Sequence, residues 1–431
     1  MGAPFLGMRG SVGFGADGSL GRRPENWREM LLMLYPNGSC PLTAIMSQLK
    51  SEKTDDPIFH WFEKTLDAQR GAITGIYTNS GLSTAVAAGA ITAGDVLYAK
   101  MAAATLDYFK VGHVLLVRSS GTLSSKFSVL VTAKTANGAS SYLTLTATET
   151  YAVPAGPPTY NVAQVIGSSY PEGDTLSSSY SFDPVEKNNY TQIFRTSIQN
   201  TRTAARTRLR TGDAVTQAKK EALELHGIEM ERGFLFNGAK YVTTGTNGQP
   251  QRITGGLRSY ITTNKVDWTA AVGQGSWATT AANALSTSQW LNGQLEQLFR
   301  YGTPEKVAFC GSGTILGIQN LIAANPSTRI ELTTETKAYG ISVMTWQTPF
   351  GTIYLKHHPL MTLEPTTRNE MIVLDAKFLN YRYIDDTQYL PDRQSNDLDG
   401  VKSEYLTEAG LELQFEQAHG WFSGIGLAPA S

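Results

Sequence analysis

The sequence predicts an α+β protein, and three observations support that fold class. One long helical pattern lies between two regions with strand patterns. No βαβ series is long enough to build a doubly wound parallel sheet. Glycine is frequent, with 41 of the 431 residues, while charged residues make up only 17%, against roughly 25% in typical soluble domains.

The first 65 residues predict an arm with no fold of its own. Residues 1–24 are rich in glycine and have no periodicity, which indicates an extended segment. Short helices are expected over 25–34 and 42–49. The large apolar residues within 55–64 suit a compact turn that docks this arm onto the body.

Residues 85–165 predict a small β unit. Apolar residues alternate with polar ones in 127–133 and again in 143–147, so these two segments form a hairpin. Upstream, 107–118 is expected to supply another strand pair that bends at Gly112. We expect these strands to form a small barrel or sandwich, inserted into the chain as one unit.

The longest predicted helix covers 213–236. Apolar residues recur there at steps of three, four or seven, which places them on one face, and Asn237 ends the helix. The predicted apolar face consists of Val215, Ala218, Ala222, Leu225, Ile228 and Leu235.

Two further helices are expected, separated by a strand. The first covers 286–301 and begins at a serine or threonine cap. The strand covers 307–310, and the second helix follows over 314–324.

Strand patterns return after residue 341. In the last of them Leu411 and Leu413 alternate with Glu412, so the leucines are expected to face a core and the glutamate the opposite side. The predicted elements are a hairpin over 341–359 that turns at 349–351, a strand over 371–384 and a strand over 411–417.

The charge balance excludes a dedicated nucleic-acid binder. Lys and Arg total 36 and Asp and Glu total 37, a net charge of −1 at pH 7. Phosphate contacts need an excess of cations, whereas a net charge near zero permits copies to associate.

The sequence contains no sign of secretion or membrane insertion. Cys40 and Cys310 lie far apart, so they form neither a disulfide framework nor a zinc knuckle. No signal peptide and no membrane-spanning stretch is apparent. We expect a soluble protein made in a reducing cytoplasm.

Several motifs resemble active sites but fail in spacing or context. Residues 13–18 fit G-x-G-x-x-G, but no strand precedes them and no helix follows. A nucleophile elbow requires glycines two residues before and two residues after the serine, and around Ser312 those positions hold Cys310 and Thr314. A hydrolase using Cys310 or Ser312 is therefore only a remote alternative.

Metal sites are also not predicted. His357 and His358 are adjacent on a strand and point to opposite faces. Residues 395–400 approximate a calcium loop, but its first position is Ser395 and its twelfth is Leu406. We expect no catalytic, cofactor-binding or metal-binding residues, and no enzyme activity.

One cluster of cations stands out between residues 195 and 220. Only Asp213 opposes seven cations there. They can form an exposed helix face with weak local ion pairs, or a strip that faces a polyanion or an acidic patch of a neighbouring copy. The seven are Arg195, Arg202, Arg206, Arg208, Arg210, Lys219 and Lys220.

The order of segments resembles the major capsid proteins of tailed phages with the Hong Kong 97 fold, in the subfamily with a β-domain inserted in the extended loop. The resemblance covers most of the chain and rests on order and spacing, since capsid proteins carry no catalytic signature. The stretches that carry it are LLMLYPNGSCPLTAIMSQL (31–49), YFKVGHVLLVR…FSVLVTAK (108–134), TQIFRTSIQNTRTAARTRLRTGD…KKEALELHGIEMERGFLFNG (191–238), ITGGLRSYI (253–261) and PFGTIYLKHHPL…DGVKSEYLTEAGLELQFEQAHG (349–420).

This resemblance implies a division of the chain into five parts. They are an N-terminal arm (1–65), an extended loop (66–190) with an inserted, barrel-like β-domain (about 90–165), a peripheral domain with a long spine helix (191–245), an axial domain (246–355), and C-terminal strands that return to the peripheral domain (356–431).

The resemblance also implies a function in assembly. Copies are expected to form hexamers and pentamers of an icosahedral head that encloses double-stranded DNA in the virion, assembled in the host cytoplasm. The implied partners are further copies, a separate scaffolding protein, a portal, packaged DNA through non-specific contact and, optionally, a cement or decoration protein. An encapsulin-like nanocompartment shell of the same fold is the main alternative.

Overall fold

A computed structural model describes most of the chain after residue 50. The described residues are 42, 51–64, 69–119, 125–154, 160–173, 183–207, 213–269, 277, 281–324, 332–338 and 341–426. Both short helices of the expected arm lie outside them, except Leu42, which is helical and fully buried. The end of the arm is described, and the compact turn expected over 55–64 is wrong, because Ile58–Glu63 is a strand and a second strand, Ser51–Lys53, precedes it.

The chain forms two compact units. The barrel unit is Lys64–Val185, and the core unit combines Met1–Glu63 with Glu186–Ser431. No helix in the described ranges is long and apolar enough to cross a membrane.

The described residues contain 23 strands and seven α-helices. The strands are β1 (Ser51–Lys53), β2 (Ile58–Glu63), β3 (Arg70–Tyr77), β4 (Gly89–Ile91), β5 (Val96–Met101), β6 (His113–Arg118), β7 (Lys126–Thr135), β8 (Tyr142–Ala147), β9 (Tyr151–Val153), β10 (Val162–Ser168), β11 (Val185–Tyr190), β12 (Gln192–Thr201), β13 (Tyr241–Thr244), β14 (Pro250–Ile253), β15 (Lys265–Asp267), β16 (Glu305–Cys310), β17 (Leu332–Ala338), β18 (Ile341–Thr348), β19 (Gly351–His357), β20 (Met371–Leu374), β21 (Leu379–Leu390), β22 (Gly400–Leu413) and β23 (Gly420–Ser423). The helices are α1 (Ala103–Leu106), α2 (Arg202–Arg206), α3 (Ala214–Phe236), α4 (Leu257–Tyr260), α5 (Ala281–Leu298), α6 (Ser312–Ala324) and α7 (Pro359–Leu363).

Six strands of the barrel unit close into a barrel in the order β10-β3-β5-β8-β7-β6. The predicted hairpin is confirmed as β7 paired antiparallel with β8. Their alternating apolar residues, such as Val129 and Leu145, are fully buried in the barrel core. Closure leaves no strand edge to pair with other chains.

The predicted strand pair over 107–118 is wrong, because only β6 is a strand in that segment. Gly112 turns the chain with φ +89°. The segment before it follows α1 and inserts Phe109 into the core beneath Gly71, where a Cβ would stand 2.7 Å from the Phe109 ring. Burial of that ring decides the path of the segment.

Two sheets form the frame of the core unit. The four-stranded sheet has the order β1-β21-β22-β12, and the seven-stranded sheet has the order β15-β23-β20-β16-β19-β18-β17. One hydrophobic cluster joins α3, α4 and strands of both sheets. The segment after residue 356 supplies strands to both, because β20 and β23 join the larger sheet while β21 and β22 join the smaller.

Helix α3 matches its prediction in extent but not in its buried face. Asp213 caps it, accepting hydrogen bonds from the Val215 and Thr216 backbone N–H groups at 3.3 and 3.1 Å. The prediction for Leu225 is wrong, since its side chain is 55% exposed. The helix contacts β12 along a row spaced by four, which buries Ala222, His226, Met230 and Phe234.

The other helices start earlier than expected. Helix α5 begins at Ala281, so the predicted cap at Ser286 or Thr287 is wrong, and Thr287 is buried inside the helix. Helix α6 begins at Ser312. The predicted hairpin over 341–359 is confirmed as β18 and β19.

The last predicted strand is longer than its apolar pattern. Strand β22 runs from Gly400 and pairs with both β12 and β21. Glu412 is fully buried, contrary to the expected alternation, and its carboxylate contacts the Arg382 guanidinium 2.5 Å away. When a face of a sheet is covered, its polar residues are buried as well, and they are tolerated there because they form ion pairs or hydrogen bonds.

Candidate functional site

Five of the seven cations predicted as a strip between 195 and 220 lie in the described residues, and some of them are neutralised within the chain. Arg202 Nε stands 2.6 Å from Asp399 Oδ1. Arg195 Nε is 3.3 Å from Glu404 Oε2, and Arg393 Nε is 3.4 Å from Glu404 Oε1. These pairs tie β12 and α2 to β22.

Lys219 is also engaged within the chain. Its Nζ lies 4.6 Å from the centre of the Tyr389 ring. A hydrogen bond with the Tyr389 side chain is the main cause that raises the pKa of Lys219. Lys219 therefore holds α3 against β21 and stays charged.

Two cations of the strip face solvent without an acidic partner among the described residues. They are Arg206, at the end of α2, and Lys220, on the exposed side of α3. Arg208 and Arg210 lie outside the described residues. The structure thus separates the seven cations into three with internal partners, two exposed ones and two that it does not describe.

Two further carboxylates lie on the hairpin that joins β21 to β22. Asp392 and Asp397 are exposed and form no ion pair within the described part of the chain. Hydrogen bonding by Ser395 is the main cause that lowers the pKa of Asp397. Leu398, at the tip, is 37% exposed, and Val401 is 40% exposed.

The chemistry of the Cys310 turn does not support a nucleophile. Cys310 is fully buried, and burial raises the pKa of its thiol far above the usual range, which disfavours the reactive thiolate. Ser312 Oγ accepts a hydrogen bond from Arg368 Nε at 3.2 Å, and no histidine of the described ranges contacts it as a base.

The adjacent histidines have separate roles. His357 Nε2 is 2.7 Å from Thr362 Oγ1 near the surface. His358 is fully buried, and its Nε2 lies 2.9 Å from Glu231 Oε1. Across the described ranges, no three His, Cys, Asp or Glu side chains are close enough to hold a metal ion.

Glu231, a buried carboxylate on α3, joins three parts of the core unit. Its Oε1 accepts the backbone N–H of Leu42 at 2.7 Å as well as contacting His358. Leu42 itself packs in the cluster with Phe234 and Leu235. Sequence reasoning missed Glu231, because it sits among the ordinary exposed glutamates of α3.

A second buried polar centre locks the turn after α5. Lys306 Nζ donates to the carbonyls of Tyr301 and Ala418 at 3.1 and 2.7 Å and lies 3.7 Å from Asp375 Oδ2. His419 Nδ1 accepts the Asp375 backbone N–H. Burial lowers the pKa of His419 to about 4, so the ring is neutral in the folded chain.

A groove of about 310 Å³ lies on the core unit. Trp61 and Tyr260 form its aromatic wall, with ring centroids 6.0 Å apart. Its polar groups are engaged internally: Glu63 accepts from the Trp61 indole, and Glu416 accepts from Thr262 and Thr263. Nothing in this lining forms an acid–base pair with a nucleophile.

Comparison with known proteins gives one consistent result. A family model described as SU10 major capsid protein matches residues 10–426. A major capsid protein of Pseudomonas phage PaMx41 is 22% identical over 364 residues, covering 82% of this chain and 77% of that protein.

Solved structures show more distant likeness. A chain of Mycobacterium phage Cain has a TM-score of 0.41 and 8% identity, covering 94% of this chain and 92% of its own. A chain of Mycobacterium phage Bobi has a TM-score of 0.40 and 10% identity, covering 94% and 93%. An encapsulin complex of Synechococcus elongatus has a TM-score of 0.39 and 10% identity, covering 59% and 79%.

Proposed function

The chain belongs to the SU10 major capsid protein family, and from this premise we propose that its copies assemble as hexamers and pentamers into an icosahedral head that encloses the double-stranded DNA of a tailed phage. The observation that carries this proposal is the family match over residues 10–426. As a phage major capsid protein, the chain forms the capsid of the virion.

The near-neutral charge supports assembly by many modest contacts. A net charge of −1 leaves little long-range repulsion between copies. Repeated heterologous contacts close into rings and shells, and multivalency makes the whole stable even when each contact is weak. Contact with packaged DNA is then loose and independent of sequence.

We assign the five expected parts of the chain to this assembly. Residues 1–65 serve as the arm, 66–190 as the extended loop with its β-domain at about 90–165, and 191–245 as the peripheral domain. Residues 246–355 form the axial domain, and 356–431 return to the peripheral domain. The closed barrel with its own core supports the assignment of an inserted β-domain.

The assembly also needs other components. We propose that a separate scaffolding protein guides assembly in the host cytoplasm. A portal, and optionally a cement or decoration protein, completes the head. The cations of the strip contact either packaged DNA or a neighbouring copy.

Electron microscopy of the chain expressed alone, with light scattering on the same sample, tests this function. We expect shells, tubes or capsomer rings. Particles that enclose protein cargo and no nucleic acid in infected cells would favour an encapsulin-like shell. A monodisperse monomer at high concentration, even with the scaffolding protein added, would contradict an assembly protein.

A further inference from the structure

The end of the four-stranded sheet beyond Thr201 and Gly400 carries charges of both signs in nearly equal number. We call this surface the mixed-charge end. Ladder pairing places Thr201 opposite Gly400, so α2 and the β21–β22 hairpin tip lie side by side. Its described members are the cations Arg202, Arg206, Lys219, Lys220 and Arg393, and the carboxylates Asp213, Asp392, Asp397 and Asp399.

Internal ion pairs use only some of these charges. Arg202 pairs with Asp399, and Arg393 with Glu404. Asp213 is held as the cap of α3. Two cations, Arg206 and Lys220, and two carboxylates, Asp392 and Asp397, remain exposed without an ion pair in the described part of the chain.

This balance argues against a nucleic-acid surface. Phosphate binding needs an excess of positive charge, and the aspartates of the tip would repel phosphates brought near Arg206. Exposed apolar residues stand among these charges, namely Leu398 and Val401. Apolar centres ringed by paired charges are typical of contacts between proteins.

We propose that the mixed-charge end is a contact between copies of this chain, in which Asp392 and Asp397 of one copy meet Arg206 and Lys220 of the next. This rests on the proposed function, because a capsid protein meets its own copies, and it names the residues of one such contact. The surface can be complementary to itself, since its exposed charges without an ion pair in the described ranges are two cations and two carboxylates, while Lys402 is half-buried.

The partner is a second copy for an electrostatic reason. A surface with free charges of both signs matches another example of itself once rotated, whereas an acidic or a basic partner would satisfy only half of it. Such a contact also explains why Leu398 is exposed in the single chain: a second copy would cover its side chain in the assembly.

Two charge-reversed variants test the contact. The first carries Arg206→Glu and Lys220→Glu, so that its free charges at this end are all negative. The second carries Asp392→Lys and Asp397→Lys, so that they are all positive. Each variant alone should assemble roughly tenfold or more weakly than the natural chain, because like charges then face each other.

Mixing the two variants is the decisive step. Negative and positive ends attract, so the mixture should co-assemble, by light scattering and electron microscopy, although neither variant does so alone. A variant with Lys126→Glu and Lys134→Glu is the matched control, because both lysines are exposed on the barrel unit and the change in net charge equals that of the first variant. Thermal melts of each variant check that it is folded.

The outcomes separate this proposal from the proposed function. If the natural chain assembles and both reversed variants assemble as well as the control, the contact is wrong while the capsid function stands. If the first variant builds normal shells that hold less DNA, the cations face DNA and the proposal is overturned. If the natural chain never assembles, even with the scaffolding protein added, the proposed function fails, and the contact then stands only if the mixed variants still associate.

Discussion

At the residue scale, the core unit depends on a few buried charged groups that connect distant parts of the chain. Glu231 receives the backbone N–H of Leu42 and contacts His358. Lys306 binds two carbonyls and faces Asp375. A buried charge is tolerated only when it is paired and hydrogen-bonded. If one partner is removed, the remaining group stays buried without a compensating bond, and its full desolvation cost destabilises the fold.

Replacing Glu231 by leucine should therefore lower the free energy of unfolding by about 3 kcal/mol, because the Leu42 N–H and the His358 ring lose their acceptor. Glu231→Gln keeps an acceptor and should cost less. Denaturant unfolding followed by tryptophan fluorescence measures this, since none of the seven tryptophans lies in the barrel unit. Glu229→Gln, exposed on the same helix, serves as control and should change stability by no more than about 0.5 kcal/mol; equal losses in both variants would refute the role of Glu231.

Acidification should destabilise the core unit through His419. Its pKa is lowered from 6.5 to about 4, chiefly by burial, so below pH 6.5 the unfolded chain binds a proton that the folded chain does not. Stability is then lost as the pH falls from 6.5 towards 4. From pH 7 to pH 5 this group accounts for about 2 kcal/mol.

The variant His419→Asn isolates that contribution. Its unfolding free energy should fall less between pH 7 and pH 5 than that of the natural chain, by tryptophan fluorescence in denaturant. Parallel pH profiles for the two chains would mean that His419 takes up its proton without unfolding.

At the element scale, each main element is supported by contacts that its own pattern does not contain. Helix α3 buries the row that meets β12, with the Phe194 and Phe234 rings 5.7 Å apart. The barrel is different, because its six strands pair with one another all the way round and enclose a hydrophobic cluster of their own. A closed barrel has no edge that needs covering by the rest of the chain.

The segment Lys64–Val185 should consequently fold by itself. Expressed alone, it should give the circular dichroism of a β protein and a single cooperative thermal transition. Leu145→Asp, which places a charge in the barrel core, is the matched negative control and should abolish that transition. A natural segment that behaves like this control would show that the barrel requires the core unit.

At the scale of the whole molecule, the function is the association of copies into a capsid. Family membership confirms the interpretation of the chain as a phage major capsid protein. At the mixed-charge end, the free charges are exposed, so salt screens them: the Debye length falls from about 10 Å at 0.1 M to about 3 Å at 1 M.

Assembly of the natural chain should for that reason weaken as salt is raised over this range, as measured by light scattering at fixed protein concentration. Sucrose at matched osmolality is the control and should leave assembly unchanged or strengthen it. Assembly that strengthens steadily with salt would indicate that apolar contacts, and not ion pairs, dominate between copies.

The sequence by itself determined the α+β class, the extent of α3, the β7–β8 and β18–β19 hairpins and the set of cations, because periodicity, caps and turns are local signals. Only the tertiary structure decided that Leu225 is exposed while Glu412 is buried, and that Arg202 and Arg195 are paired while Arg206 and Lys220 are free. Local patterns record how a residue relates to its neighbours in the chain. Burial and charge pairing depend on residues hundreds of positions away, and only folding brings those together.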